Sequence, residues 1–414
     1  MIPQRFQVVI IGGGSAGTAA AVASASRGMH TLLIEKKPYG GGNATAAEVG
    51  TICGLFHQNK QEADWLVKGY AKYFAERLDE DPLIHSTTNL HGIHFLPYRI
   101  KDFKDLVVDE LQNAKVEVWW NATICSITTE KNSLHLANIE KNGTIVPIAF
   151  DAIVDCTGNA SICEMIQHTM IQENEYQASA RVFTIEGMDP DDEQVVQLII
   201  WRALTKAIRN GILPETYNHI YPIQGSFVNG KGSFKLSIPI PVTHKTGNIK
   251  ELKSYSEEAI EQIFHYLKNE VPAFHNATLV SIADEVGIRT GPRPKGDEIL
   301  TGKHVLEAIK CKDTIARSAW PIEEWTLDQK VIMKHVPEKD YYDIPVGCLT
   351  SPEFRNLFFA GRAISADREA IASARVMGVC LQTGYAAGIL AASLAKGEDL
   401  SKALDLIQKK QILY

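Results

Sequence analysis

Three glycines near the start of the chain, Gly12, Gly14 and Gly17, stand at the spacing of a turn that brings main chain up to a bound anion. Gly12 permits the tight turn, Gly14 lets the backbone approach a pyrophosphate, and Gly17 lets the following helix pack close to the preceding strand. Ser15 and Ala16 complete the turn, whose N–H groups and helix N-terminus favour negative charge. Glu35, with Lys36 beside it, follows about 20 residues on, where a carboxylate accepts hydrogen bonds from a ribose diol. The chemistry of these residues is dinucleotide binding, with NAD and FAD both open.

Such a site requires a strand before the turn, a helix after it and a second strand ending at the acid. Residues 6–11 form a continuous apolar run, as a strand buried on both faces of a parallel sheet does; 15–27 are Ala-rich and helical, and 31–34 are apolar again. Residues 102–113 read as a helix. VEVWW, ICSITTE, LHLANIE and IVPIAF then read as a β-meander separated by Asn, Lys and Gly turns, and AIVDCTG as a buried strand. From 175 to 341 the pattern is mixed, with helices expected at 193–209 and 254–269 and strand-like FKLSIPIPV between them. A strand at 357–360 and one long small-residue helix at 370–395 bring the chain back. The expected fold class is α/β: a Rossmann-like nucleotide domain of central parallel sheet plus meander, formed by 1–174 and 342–414, with an inserted α+β substrate or cap domain at 175–341. A single fingerprint, placed at the N-terminus and followed by a meander instead of further βαβ units, favours FAD over NAD.

Composition narrows the partners. A chain of 414 residues with 45% hydrophobic and 22% charged residues is expected to fold into about two globular domains. A net charge of −7, spread along the chain, lacks the basic footprint of a nucleic-acid binder. Seven scattered cysteines include no C-x-x-C and no Cys/His cluster at zinc spacing, so the expectation is reduced thiols in a cytoplasmic protein, no metal and no disulfide-reductase chemistry. The apolar N-terminus imitates a signal peptide, but the glycines interrupt it and the pattern continues as a helix and a strand. No run reaches the roughly 18 residues of a membrane span, so none is expected.

With these residues placed, the sequence resembles the FAD-dependent oxidoreductases related to the fumarate reductase and succinate dehydrogenase flavoproteins, in particular a smaller group within them. VVIIGGGSAGTAAA with LLIEK, GGNAT at 41–45, VDCTGNA at 154–160, EVGIRTGPRPKGDEILTG and NLFFAGRAISADREAIASARVMGVCLQTGYAAGILAA carry the resemblance. It implies FAD as cofactor, with Gly42 and Asn43 against the ribityl chain and pyrophosphate, Thr157 and Gly158 on the adenosine side, and Gly361 and Arg362 passing the flavin. Some relatives attach FAD through a histidine near the GG segment; here that run is Asn43 to Glu48, without histidine, so non-covalent FAD is expected. Cys53 and His57, slightly further on, read as core or polar residues. The stretch 175–281 matches nothing in the family pattern.

Flavin performs the hydride chemistry, leaving the protein to bind substrate and stabilise charge. Arg289 and Arg293, in a Gly/Pro-punctuated segment, suit a clamp on a substrate carboxylate or on reduced flavin. Arg362, Asp367 and Arg368 precede a helix whose N-terminus favours the same charge, with Arg375 inside it; Ser365 or Asp367 equally suits a helix cap. Arg289, Arg293 and Arg368 are therefore the catalytic candidates. His91 and His94 form a possible imidazole pair, with Tyr98 and Arg99 within reach of the cofactor. The expected function is a dehydrogenase or oxidase moving a hydride from a small, anionic organic substrate to FAD, with oxygen, a quinone or a protein as electron acceptor. A monooxygenase reduced by NAD(P)H and a flavoprotein that modifies or reduces another protein are the alternatives.

Overall fold

The computed structural model describes residues 2–58, 62–88, 92–243, 248–328 and 330–413. Its main sheet runs Glu117–Trp119, Thr31–Ile34, Gln4–Ile11, Thr144–Asp155, Ser133–Lys141, Ala122–Glu130, with Leu357–Phe359 also pairing the fourth of these strands. Gln4–Ile11 pairs in parallel with Thr31–Ile34 on one side and Thr144–Asp155 on the other. This is the expected Rossmann-like α/β arrangement, a parallel sheet continued by an antiparallel meander.

Two expected boundaries shift. IVPIAF and AIVDCTG, read as separate strands, form the single strand Thr144–Asp155. Its first half is the last strand of the meander, antiparallel to Ser133–Lys141, and its end pairs in parallel with Leu357–Phe359. VEVWW leaves the meander, because Glu117–Trp119 pairs in parallel with Thr31–Ile34 as the outer strand of the nucleotide sheet.

A second sheet, Ile220–Pro222, Lys231–Ile238, Ser179–Glu186, Thr278–Ile282, is antiparallel throughout. One of its faces sends Phe183, Ile185, Phe234 and Leu236 against Val196, Ile200 and Leu204 of helix Glu193–Arg209 and Ile260, Ile263 and Leu267 of helix Asn248–Glu270. That core holds residues between 183 and 277. Leu300, Val305, Ile315, Trp320, Ile322 and Val336, expected in the cap, instead pack in the core of the nucleotide domain.

The expected helix at 370–395 is two helices, Arg368–Ala374 and Met377–Ala395, divided where Val376 is extended (φ −71°, ψ 154°). Met377–Ala395 is long and apolar enough to cross a membrane by length and composition, but it is a core helix, 89% buried inside the protein. Its small residues set its place: Gly384 and Gly388 lie directly on the backbone of Ala16 and Ala20 in the first helix, Ser15–Ser26, so neither position has room for a Cβ.

Candidate active site

The glycine turn connects Gln4–Ile11 to the first helix. Gly12 has φ +97°, and a Cβ there would meet the Cys156 carbonyl oxygen at 2.6 Å; a Cβ on Gly17 would run into the Gly12 carbonyl oxygen. Around Gly14 the nearest atom to such a Cβ, the Gly42 Cα, is 3.8 Å away, which leaves main chain open to a ligand. Gly14 caps the Ser15–Ser26 helix without a side-chain acceptor, and its first turn carries no acid. The N–H groups around Ser15 and Ala16 thus keep their attraction for an anion. Glu35 is buried at the end of its strand, with Oε2 accepting from the Gly13 N–H at 2.7 Å and Oε1 from the Lys37 N–H at 2.9 Å. Each oxygen has a second lone-pair site for a ribose hydroxyl. Lys36 is exposed, and it is Lys37 that ties this corner to Glu285, at 2.6 Å.

Gly42 precedes the short helix Asn43–Ala46 and packs on Gly14. Asn43 Nδ2 donates to the Ile288 carbonyl at 2.9 Å, and Arg362 Nη1 donates to the same oxygen at 2.6 Å. Arg362 follows Gly361, which packs on Ala16, and its guanidinium covers Gly158. Thr157 and Gly158 themselves are fixed by Asp155, whose carboxylate accepts from the Thr157 N–H at 3.0 Å and hydroxyl at 2.6 Å and from the Ile162 N–H at 3.0 Å. Burial pushes the Arg362 guanidinium down, Arg375 adds to that, and no carboxylate pairs with it among the described residues. An interior cation of this kind, set between the Gly42–Asn43 and Thr157–Gly158 turns, fits an anionic cofactor.

One residue beyond Ile288 the chain enters a second cluster. Arg289 donates through Nη1 to the Ala178 carbonyl and lays its guanidinium 4.3 Å from the centre of the Trp325 ring. Lys235 Nζ lies 4.5 Å from the same centre, and Tyr221 meets that ring edge-on at 5.8 Å. Arg375 Nη2 reaches the Glu323 carbonyl oxygen at 3.2 Å and its carboxylate at 3.5 Å. Burial pushes the Glu323 carboxyl up, but Arg375, Lys235 and Arg289 together outweigh it and hold the group below its ordinary range. Burial pushes Arg289 down, helped by Arg375, and pushes the Cys53 thiol up to about 12, with Glu323 adding to the rise. Three cations thus share one carboxylate, in a setting where each unbalanced charge attracts an anion strongly.

The other candidates do not converge on this cluster. Arg293 is 1% exposed and its donors are engaged: Nε to the Ala366 carbonyl at 2.8 Å, Nη1 to Gly291 at 2.7 Å, and Nη2 to Glu173. It is a structural tie between two loops. Arg368 is half exposed and pairs with Glu324 at the surface. Asp367 caps the helix, accepting from the Ala370 N–H at 2.8 Å, and also accepts from Gly302 at 3.0 Å. His91 lies outside the described residues. His94 is buried against Phe56, and Arg99 pairs with Asp102 at the surface. Tyr98 supports the cofactor turn from behind, donating to the Ala44 carbonyl at 2.9 Å. Lys235, Glu323, Trp325 and Tyr221 carried no motif. One cue was available in FKLSI, where a lone cation interrupts an apolar strand.

Residues 7–412 match the family described as FAD dependent oxidoreductase. The chain belongs to this family. 3-Oxosteroid 1-dehydrogenase of Mycobacterium tuberculosis (strain ATCC 25618 / H37Rv) is 42% identical over 50 residues, 12% of this chain and 9% of that protein, so the match spans under a tenth of the relative. Two solved structures share the fold over 98% of this chain and 65% of theirs, so the chain spans just under two thirds of each. They are CabE, an aromatic hydroxylase from angucycline biosynthesis (TM-score 0.51, 9% identity), and BexE, from BE-7585A biosynthesis (0.52, 10%). FAD is the cofactor of this oxidoreductase, and the open helix N-terminus, the Glu35 carboxylate and the unpaired Arg362 are the features of this chain that suit it.

Proposed function

We propose that this FAD-dependent oxidoreductase takes a hydride from a small anionic organic substrate, as a dehydrogenase or oxidase with non-covalent FAD. The supporting observation is the cluster of Arg289, Lys235 and Arg375 around a single carboxylate, joined to the cofactor turn through the Ile288–Arg289 peptide. FAD, when bound, supplies the two-electron acceptor. Arg289 offers its remaining N–H groups to a substrate carboxylate, and its stacking on Trp325 fixes the fork in orientation. Arg375, held by Glu323, adds positive charge without moving. The partial burial of the cluster lowers the local dielectric and strengthens each of these interactions.

The test is an anaerobic screen of organic acids, neutral alcohols and NADPH against the oxidised holoenzyme, followed by loss of flavin absorbance. Bleaching by an organic acid and not by NADPH is expected. Bleaching by NADPH alone would replace this reading with the monooxygenase one, and bleaching by no small molecule would leave a protein-modifying role. Acid precipitation is expected to release all flavin into the supernatant, since no histidine stands in Asn43 to Glu48; flavin retained on the polypeptide would contradict non-covalent binding.

A further inference from the structure

Lys235 faces away from the helix-covered core of its sheet. Along Lys231–Ile238, Phe234 and Leu236 enter that core. Lys235, between them, projects from the opposite face, beside its cross-strand neighbours Val182 and Tyr221. There it meets Trp325 and the groups that surround it: Arg289, Glu323, Cys53 and Arg375. Glu323, the one carboxylate among these, is engaged by Arg375 and accepts from Trp320 Nε1 at 3.4 Å, so among the described residues Lys235 has no ion-pair partner of its own.

We propose that Lys235 Nζ is the base of the reaction, taking the hydroxyl or amino proton of a substrate whose carboxylate Arg289 holds. Both groups lie within 4.5 Å of one ring centre and so stand no more than about 9 Å apart, a span that a carboxylate and a proton donor on the neighbouring carbon bridge with one hydrogen bond at each end. The substrate class is then a 2-hydroxy or 2-amino acid. The step balances, and it rests on the hydride-transfer reading above. The C–H bond breaks and its electron pair leaves with the hydrogen for FAD. The O–H or N–H bond breaks, its proton goes to the Lys235 amine, and its pair forms the C=O or C=N bond. The acid is oxidised by two electrons, the flavin is reduced by two, and Lys235 afterwards gives its proton to water.

The other groups in the cluster are unsuited to this task. Glu323 is held ionised by three cations and is a weak base, the Cys53 thiol is pushed up to about 12, burial pushes the Tyr221 phenol up, and Arg289, pushed down to about 9 by burial and Arg375, is still charged where Lys235 loses its proton. Lys235 differs: burial, reinforced by Arg289 and opposed by Glu323, pushes its ammonium down to about 8. A neutral amine is therefore accessible near neutral pH, as base catalysis requires.

The experiment is anaerobic stopped-flow reduction of the holoenzyme by glycolate, lactate, malate, glycine and alanine between pH 6 and pH 10, for the native chain, Lys235→Met and Lys235→Arg. In parallel, 15N-lysine NMR of the native holoenzyme is compared with that of Lys235→Arg to assign the Lys235 signal. Bleaching by at least one acid is expected to accelerate with pH and level off above about 8. Both variants should slow it by roughly 10²- to 10⁴-fold and remove that limb, and the assigned signal should titrate near 8. The Arg variant keeps size and charge, so a fold defect in the Met variant leaves the test intact. An unchanged pH limb in the variants, or a Lys235 signal titrating at the ordinary lysine value, overturns the base while leaving the proposed function standing. Bleaching by other organic acids but by none of these five overturns the substrate class, and absence of bleaching by any donor removes the proposed function itself.

Discussion

Arg289 and Arg293 stand four positions apart in one Gly/Pro-punctuated segment, and residue type makes them equivalent candidates. Folding separates them. Arg293 spends its donors on two carbonyls and the buried Glu173, whereas Arg289 commits one to Ala178 and turns its planar face to Trp325. Arg293→Met should therefore destabilise the holoenzyme by about 3–5 kcal/mol, because Glu173 is left buried and unpaired. Denaturant unfolding measures this, and the bleaching rate per bound flavin should not change; a selective loss of rate would return Arg293 to the chemistry. The same distinction explains what the sequence made legible at this scale. Gly12, Gly14, Gly17 and Glu35 act through local chain geometry, which spacing reveals. Lys235, Glu323 and Cys53 act through a tertiary meeting, and nothing adjacent to them in the chain announces it.

At the scale of elements, the glycine turn and the two helices behind it form one unit. Continuous small residues from 370 to 395 made a single helix the natural reading, since uniform composition contains no mark of where a helix stops. The break at Val376 sets Arg375 at the C-cap of one helix, two residues before the next begins, beside Glu323. Close packing of Met377–Ala395 on Ser15–Ser26 then holds the turn at the helix N-terminus in place. Gly384→Ala sets a Cβ against the Ala16 backbone, where no flexible side chain can yield. A stability loss of about 1–3 kcal/mol is expected from overpacking, with a lowered FAD-to-chain ratio in the purified protein. Full FAD occupancy at unchanged stability would show that this contact does not position the turn.

For the whole molecule, the candidate site draws residues from two units with separate cores. One is the nucleotide domain, whose outline was legible because a parallel sheet leaves continuous apolar strands. The other is the antiparallel sheet with its two helices, whose helix at Glu193–Arg209 was legible from its periodicity. Their division was harder to read. Residues between 300 and 336 alternate short strands and turns as the cap does, yet pack with the first core. The unmatched middle of the chain supplies Lys235 and Tyr221 to the cluster, while Cys53, Glu323, Trp325 and Arg375 come from outside 175–281. The cluster is thus assembled from both sides of the site.

Arg289 joins the cofactor turn to the cation cluster, since the carbonyl of the peptide before it accepts from Asn43 and Arg362 while its side chain lies on Trp325. The decisive measurement is anaerobic flavin bleaching of Arg289→Ala by whichever organic acid reduces the native holoenzyme, with FAD content determined on the same sample. Loss of a charged hydrogen-bonding clamp worth about 1.5–3 kcal/mol predicts bleaching slowed roughly 10- to 150-fold at subsaturating acid, with one FAD still bound per chain. Native kinetics in this variant, or slowing that tracks loss of FAD, would contradict a substrate-binding role for the cluster.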